Sequence, residues 1–259
     1  MPDEKCRFHT TGLSWAERAG LDGLRAVLVP EDRPRRNNFI HGIHTFGARR
    51  AFHFLAPNAF LMDFGCGSGR FTRFFAGLGC KVLGTEITKR MLERARRDCS
   101  GAKCSFVLTD GISIPVADGS LDAIWCCAVL RYSLFVPDPV YDKIAAEMFR
   151  VLRPGGIVAN VEMYVDREPR VFLKDFESVG FTTRSVRVLQ RYDGRLERFF
   201  GNCRWPQAWI PWMAQRCAQL RYHFDWPERA VTGLRDYLFV WEKPPANSRL
   251  YYHEKNKII

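Results

Sequence analysis

The chain has 259 residues, of which 47% are hydrophobic and 14% aromatic. That length and composition suffice for one buried core and exclude disorder over most of the chain. The formal net charge of +11 favours a negatively charged partner or substrate, whether a phosphate, a carboxylate, nucleic acid or an anionic surface.

Cysteine usage and the distribution of apolar residues narrow the cellular setting. None of the nine cysteines belongs to a C-x-x-C pair and most lie in apolar runs, so we expect reduced thiols and no metal site. Residues 1–20 lack the apolar stretch of a signal peptide, and no run approaches about 18 apolar residues. We therefore expect a cytoplasmic protein without a transmembrane segment.

The first long predicted element is a helix from Asn37 to Leu55, ahead of the first strand. His41 and His44 lie three residues apart on this helix, a spacing at which two histidines can ligate one metal ion. No carboxylate is near them in the sequence, so packing of the helix is the better interpretation.

The most informative stretch is residues 61–72, in which an apolar strand ends at Asp63 and three glycines then open a helix: Gly65, Gly67 and Gly69. Glycines there allow the backbone to adopt positive φ and to approach a ligand closely. The start of the helix offers free N–H groups to that ligand. The arrangement predicts a site for a nucleoside-bearing cofactor, although the G-x-G-x-x-G fingerprint of dehydrogenases also follows a strand.

Acids also follow the next two predicted strands. The second strand ends at Glu86, roughly the ~20 residues past the glycines that are expected for a ribose-binding carboxylate. The third strand leads to Asp110, which is followed by Gly111 and Ile112, an arrangement suited to the edge of an adenine ring. Because successive parallel strands end at the same rim of a sheet, we expect the three acids to line one ligand site.

Beyond the third strand, strands and helices continue to alternate, which predicts an α/β fold with a doubly wound sheet. The remaining predicted elements are, in chain order, a strand from Leu121 to Cys126, a helix stopped by Pro154, Gly155 and Gly156, a strand from Ile157 to Met163, a helix from Arg170 to Val179, and strands from Thr182 to Tyr192 and from Asp236 to Glu242.

In this order the motifs resemble those of the class I S-adenosylmethionine-dependent methyltransferases, specifically their small-molecule branch. The resemblance covers about residues 58–165 and rests on five motifs: Asp63 to Gly69, Glu86, Asp110 with Gly111, Leu121 to Cys126, and Leu152 to Gly156. It implies a Rossmann-like sheet of seven strands, mostly parallel with an antiparallel last strand, with helices on both faces. It also implies S-adenosylmethionine as the cofactor.

The same resemblance implies a division of the chain. The methyltransferase domain would cover residues 58–243, with an aromatic and basic insertion at about 193–233 and a C-terminal tail at 244–259. Residues 1–57 would form an N-terminal helical extension, which either closes over the cofactor as a lid or packs against the domain.

Roles for individual residues also follow from the resemblance. The methionine part of the cofactor would lie against the glycine motif, which consists of Gly65, Cys66, Gly67 and Gly69. Asp63 would hold the loop and the amino group, and the backbone carbonyl of Cys126 would meet the methionine ammonium. Five residues would hold the nucleoside: Glu86 at the ribose, Ile87 and Ile112 on the faces of the adenine, and Asp110 with Gly111 at its edge.

One departure from the family concerns catalysis. Many relatives carry a histidine shortly after the fourth strand, whereas this chain has Arg131 and Tyr132, so no catalytic residue is transferred from the family. Tyr132 and Glu162 follow the fourth and fifth strands at the ligand rim. Both are candidates for contact with a substrate or for removal of a proton.

A long connection separates the last two predicted strands. It carries six arginines and four tryptophans, Trp205, Trp209, Trp212 and Trp226, and a connection of this length without structure is implausible in a compact domain. One interpretation is that it packs onto the domain through a helical face of four residues: Trp209, Trp212, Met213 and Leu220. The other is a substrate-binding cover, whose rings stack on a ring or sugar and whose arginines hold an anionic group.

Together these features predict a methyltransferase acting on oxygen or nitrogen of a small or medium-sized acceptor that is anionic or glycan-like. The charge favours nucleic acid as an alternative substrate, but Trp125 to Ala128 contain neither an Asn/Asp-Pro-Pro-aromatic nor a Pro-Cys signature. A non-catalytic cofactor-binding protein of the same fold is a further alternative. A nicotinamide dehydrogenase is disfavoured because the glycines follow a G-x-G-x-G spacing. The acceptor, the methylated atom and the oligomeric state stay open.

Overall fold

The computed structural model describes residues 13–30, 34–130, 140–162, 170–191, 199, 202, 205–223 and 235–245. At its centre are seven strands: β1 (Phe60–Phe64), β2 (Lys81–Glu86), β3 (Cys104–Leu108), β4 (Leu121–Cys127), β5 (Leu152–Glu162), β6 (Thr182–Arg191) and β7 (Arg235–Glu242). They form one sheet in the order β3-β2-β1-β4-β5-β7-β6. The first five strands pair in parallel, and β7 runs antiparallel to both β5 and β6. The predicted seven-stranded doubly wound sheet is confirmed.

Helices connect and cover the strands. In chain order these are α1 (Trp15–Arg18), α2 (Pro34–Ala51), α3 (Arg70–Gly77), α4 (Lys89–Asp98), α5 (Tyr141–Val151), α6 (Arg170–Ser178) and α7 (Ile210–His223). Among the residues described, no helix is both long and apolar enough to cross a membrane.

The sheet separates two apolar cores. On one face, side chains of α2, α3 and α7 pack around Trp125 of β4, with Phe71 at 4.9 Å from its ring centroid. On the other face, α5 and α6 pack on the sheet, and Phe176 stacks on Trp241 at 4.1 Å. Because β1 and β4 lie between two helical layers, their residues are almost all buried, which explains their nearly continuous apolar sequences.

Two predicted boundaries differ from the structure. Helix α2 begins at Pro34, before the predicted start at Asn37, because proline fits the first helical turn. The helix also ends at Ala51, before the predicted end at Leu55, and Pro57 disfavours helical geometry in the residue that precedes it. Strand β5 begins at Leu152 rather than at Ile157, since Gly155 and Gly156 exchange backbone hydrogen bonds with Lys243.

Helix α7, the helix described within the predicted insertion, packs on α2, but not through the predicted residues. Helix α7 turns Ile210, Ala214 and Ala218 toward the core, whereas Trp209, Trp212 and Leu220 are 60%, 56% and 61% exposed. Of the predicted face, only Met213 packs against the core. Small residues allow this contact, because a Cβ atom on Gly42 of α2 would lie 2.5 Å from the Pro211 carbonyl oxygen. Trp226 lies outside the described residues.

Candidate functional site

The glycine loop between β1 and α3 is shaped for close approach. Gly65 and Gly67 have φ angles of 70° and 54°, and Gly69 precedes α3 in the left-handed region. A Cβ atom on Gly65 would lie 2.5 Å from Val129, and one on Gly67 would lie 2.8 Å from Val27. Backbone geometry and space therefore both require glycine at these two positions.

Glu86, at the end of β2, holds this loop in place. Its Oε2 accepts a hydrogen bond from the Gly67 N–H at 2.9 Å, and its Oε1 accepts from Ile87 at 2.9 Å and Thr88 at 3.0 Å. Burial raises the pKa of Glu86, while hydrogen bonds from these three backbone N–H groups and from the Thr88 side chain act against that rise. A carboxylate has about four acceptor positions, so the protein itself uses most of the hydrogen-bonding capacity of Glu86.

Asp110 follows β3 and organises its own turn. Its carboxylate accepts hydrogen bonds from the Ile112 N–H at 2.9 Å and from the Ser113 N–H and hydroxyl at 2.7 and 2.9 Å. These bonds, the one from Ile112 first, lower the pKa of this exposed acid. Gly111, at a φ of 82°, lies against Ile87, since a Cβ atom on it would be 3.0 Å from the Ile87 side chain.

The two isoleucines expected at the adenine differ in exposure. Ile87 is 38% exposed, which leaves an apolar surface beside Glu86. Ile112 is half-buried and packs against the core formed with α5 and α6. The β2 and β3 loops therefore bring Glu86, Ile87 and Gly111 to one side of the rim.

Asp63, in β1, is buried behind the glycine loop. The Thr72 hydroxyl donates to its Oδ2 at 2.6 Å. Burial raises the pKa of Asp63 to about 6, against the hydrogen bond from Thr72 and the positive charge of Arg70. In the adjacent strand β4, Cys126 pairs with Phe64, so its backbone lies beside the end of β1. Cys126 itself is fully buried.

Five side chains meet where α2 crosses the strand ends, and we name them the Arg70 cluster: His41, His44, Arg70, Cys127 and Asp236. The Arg70 guanidinium lies 3.3 Å from His41 Nδ1, 3.4 Å from His44 Nδ1 and 3.5 Å from Cys127 Sγ. On its other side, His44 Nε2 is 3.7 Å from Asp236 Oδ2, and both side chains are fully buried.

Electrostatics keep both histidines of the Arg70 cluster neutral. Burial, and then the Arg70 guanidinium, lower the pKa of His41 to about 3 and that of His44 well below its usual value. Within the described part of the chain, no group of three His, Cys, Asp or Glu residues is arranged to hold a metal ion. Sequence reasoning missed Arg70 and Asp236, since the cluster joins four elements and His44 and Cys127 are 83 residues apart.

Of the two candidates for proton removal, Glu162 lies within the described residues and Tyr132 does not. Glu162, at the end of β5, is fully buried, and Asn160 donates to its Oε2 at 3.4 Å. Tyr132 lies outside the described residues, so its place relative to the rim stays a prediction.

These residues fit a nucleoside cofactor. Gly65 and Gly67 carry no side chain and hold positive φ, the Glu86 carboxylate lies at the loop, and Ile87 offers an apolar surface beside it. A family model described as a methyltransferase domain matches residues 62–160, which contain the glycine loop and all three strand-end acids. Over these residues the chain is similar to the class I S-adenosylmethionine-dependent methyltransferases.

Individual relatives of the chain agree with this family model. A malonyl-[acyl-carrier protein] O-methyltransferase of Enterobacter lignolyticus is 31% identical over 111 residues, which are 43% of this chain and 41% of that protein. Methyltransferase GfsG of Streptomyces halstedii is 31% identical over 147 residues, or 53% of this chain and 51% of its own. The chain thus spans about half the length of the curated relatives it matches.

The fold recurs in solved structures. The [4+2]-cyclase SpnF superposes with a TM-score of 0.54 over 81% of this chain and 82% of its own, at 21% identity. At that identity the likeness establishes the shared fold alone. The name of that protein shows that a chain of this fold can be known for a reaction other than methyl transfer.

Proposed function

We propose that this protein transfers a methyl group from S-adenosylmethionine to an oxygen or nitrogen of a small or medium-sized acceptor that is anionic or glycan-like. The observation that carries the proposal is the rim itself, where Glu86 is tied to the glycine loop by the Gly67 N–H at 2.9 Å. The formal charge of +11 supports an anionic acceptor. One relative is named for O-methylation of a malonyl group on a carrier protein, which is an anionic acceptor.

Each part of the cofactor has a proposed partner on this rim. Glu86 takes one ribose hydroxyl, and Ile87 and Ile112 contact the adenine, with Asp110 and Gly111 at its edge. The methionine part lies along the glycine motif, where Asp63 takes the ammonium together with the Cys126 carbonyl. When bound, S-adenosylmethionine supplies a methyl group on a positively charged sulfur. The acceptor lone pair takes the methyl group in line, and the sulfur leaves as a neutral thioether.

The protein's own contribution is chiefly orientation. Holding two reactants in line contributes on the order of 7 to 11 kcal/mol without a covalent intermediate on the enzyme. A hydroxyl acceptor must also lose a proton, whereas an amine needs only its neutral form. Our candidates for accepting that proton are Glu162, at the end of β5, and Tyr132, which lies outside the described residues.

The test uses methyl-labelled S-adenosylmethionine with fractionated cell extract. We expect label to enter small molecules or glycans, and the labelled fraction identifies the acceptor class. The Glu86→Ala variant is the control, because it removes the proposed ribose contact. Cofactor binding with no label in any fraction would establish a non-catalytic binding protein, and no binding at all would contradict the family's cofactor for this chain.

One specific observation favours nucleic acid as a second candidate acceptor. Helices α2 and α7 pack on each other and contain six arginines but no Asp or Glu. Label in RNA or DNA, together with retention on a filter that weakens steeply with added salt, would establish this candidate in place of the first.

A further inference from the structure

Arg70 occupies a position that its present neighbours do not explain. It is the first residue of α3, directly after the glycine loop, the residue is partly buried, and its guanidinium lies over the Phe71 ring at 4.3 Å. The hydrogen-bonding atoms around it are two imidazole nitrogens and a thiol sulfur. All three groups are neutral, and within the described residues no carboxylate lies within 4.0 Å of the guanidinium.

A partly buried cation whose hydrogen-bonding neighbours are all neutral is costly, because few protein dipoles replace the water it has lost. Arginine also presents a planar fork of donors that matches a carboxylate in two parallel hydrogen bonds. The surroundings of Arg70 are therefore typical of a guanidinium prepared for an anionic ligand.

The proposed cofactor would bring a carboxylate to this place. Its methionine ammonium is assigned to Asp63 and the Cys126 carbonyl, and the carboxylate sits on the same carbon atom as that ammonium. Arg70 contacts Cys127, the next residue along β4, and lies close enough to Asp63 to affect its ionisation. We propose that Arg70 binds the methionine carboxylate of S-adenosylmethionine, an inference that depends on the proposed function.

Two nucleoside thioethers test this assignment by calorimetry. S-adenosylhomocysteine carries the amino-acid end, and 5′-methylthioadenosine lacks it but shares the adenosine. For Arg70→Gln we expect affinity for S-adenosylhomocysteine to fall about 10- to 100-fold, the loss of a charge-assisted pair, with affinity for 5′-methylthioadenosine unchanged. Arg73→Gln is the matched control, because Arg73 is exposed on the same helix.

Each outcome has one meaning. Unchanged affinity of Arg70→Gln for S-adenosylhomocysteine overturns the assignment, and so does an equal loss for both compounds, which would indicate a structural role. If the wild-type protein binds neither compound, the proposed function fails instead. Should Arg70→Gln not fold, Arg70→Lys keeps the charge, and we expect it to weaken binding of S-adenosylhomocysteine alone.

A separate observation concerns the outer surface of α7. Trp212, Arg216 and Leu220 recur every four residues on its exposed face, Trp209 precedes them by one turn, and Arg216 lies over the Trp212 ring at 5.5 Å. We name these four residues the α7 stripe. Two tryptophans and a leucine that are each more than half exposed form an apolar patch of the kind that marks an interaction site.

The positive charge of α2 and α7 indicates an anionic partner for the α7 stripe. Helices α2 and α7 together carry six arginines, Arg216 of the stripe among them, and no Asp or Glu of their own, so their field attracts anions. Tryptophan prefers the boundary between lipid headgroups and acyl chains, and arginine pairs with lipid phosphates there. Leu220 gains from burial in lipid but offers a nucleic acid neither a ring to stack on nor a hydrogen bond.

We infer that the α7 stripe docks the protein on an anionic membrane surface, with α7 lying in the plane of the headgroups. The test is co-sedimentation with vesicles of phosphatidylcholine alone and with vesicles that also contain phosphatidylglycerol. We expect binding to the second kind only. The double variant Trp209→Ser, Trp212→Ser should bind them at least about tenfold more weakly, from the apolar burial lost.

Leu108→Ser supplies the matched control, because Leu108 is 49% exposed on β3 at the far edge of the sheet. It should bind vesicles as the wild-type protein does. Failure to bind phosphatidylglycerol vesicles overturns the inference, as does unchanged binding by the double variant. A parallel filter assay in which RNA, and not vesicles, is retained through Trp209 and Trp212 overturns it in favour of nucleic acid.

Discussion

At the scale of single residues, Glu86 links the two halves of the proposed cofactor site. For Glu86→Gln we expect affinity for S-adenosylhomocysteine to fall about 10- to 100-fold, because an amide group replaces one acceptor oxygen and its N–H faces a backbone N–H. The glycine loop also loses the hydrogen bond from the Gly67 N–H, so the free energy of unfolding should fall by about 1 to 3 kcal/mol. Calorimetry and urea unfolding measure the two effects.

Glu93→Gln is the control, because Glu93 is exposed on α4, and it should change neither quantity. Unchanged affinity of Glu86→Gln for S-adenosylhomocysteine contradicts the ribose assignment.

Asp63 gives a residue-scale prediction that depends on pH. Burial raises the pKa of Asp63 from 3.8 to about 6, so the folded protein binds this proton more tightly than the unfolded chain does. The stability from Asp63 is thus present below pH 4 and is lost as the pH rises through 6, by about 3 kcal/mol. Asp63→Asn lacks this loss, so its free energy of unfolding relative to wild type should rise between pH 4 and 7. Urea titrations across that range measure it; a constant difference contradicts the prediction.

The residues that the sequence located are those with a local signal. Asp63, Glu86 and Asp110 each end or follow a strand, so chain spacing alone places them on one rim. The hydrogen-bond partners of these acids were harder to predict. The Glu86 carboxylate, for example, accepts mainly from backbone N–H groups, which no particular residue type signals in the sequence. The Arg70 cluster joins α2, α3, β4 and β7, so no residue spacing within a single segment predicts it.

At the scale of elements, the contact of α2 with α7 depends on the absence of a side chain at Gly42. A Cβ atom there would lie 2.5 Å from the Pro211 carbonyl oxygen and 2.7 Å from the Ala214 Cβ atom. For Gly42→Ala we therefore expect a loss of about 1 to 3 kcal/mol in the free energy of unfolding, because the helices must separate. Gly77→Ala is the matched control.

Gly77 is also helical, but a Cβ atom on it would meet nothing within 4 Å. Alanine at that position should raise the free energy of unfolding by about 0.5 to 1 kcal/mol, because it lowers the conformational entropy of the unfolded chain. Urea unfolding of the two variants compares them directly. Equal effects of both substitutions would show that the α2 contact with α7 is loose.

The same contact explains why the burial of α7 was predicted wrongly. Apolar size suggested that Trp209, Trp212 and Leu220 face the core, yet Ala214 and Ala218 pack there instead. Close helix packing favours small residues, and alanine carries little of the apolar periodicity that distinguishes one helical face from another. The strands and the helices α3, α5 and α6 were predicted because their buried residues are large and follow the expected period.

At the scale of the whole molecule, cofactor binding should stabilise the entire domain, since the rim joins β1, β2, β3 and β4. S-adenosylhomocysteine at about 100 times its Kd stabilises the folded state by about 2.7 kcal/mol. For a domain of this size that corresponds to a rise in Tm of about 5 to 10 °C. NADH at the same concentration should cause no rise, because the G-x-G-x-G loop belongs to a methyltransferase domain rather than to a dehydrogenase. Glu86→Gln should respond to S-adenosylhomocysteine less than wild type does at equal concentration. A rise with NADH, or none with S-adenosylhomocysteine, would mean that the strand-end acids and the glycine loop serve a different nucleotide.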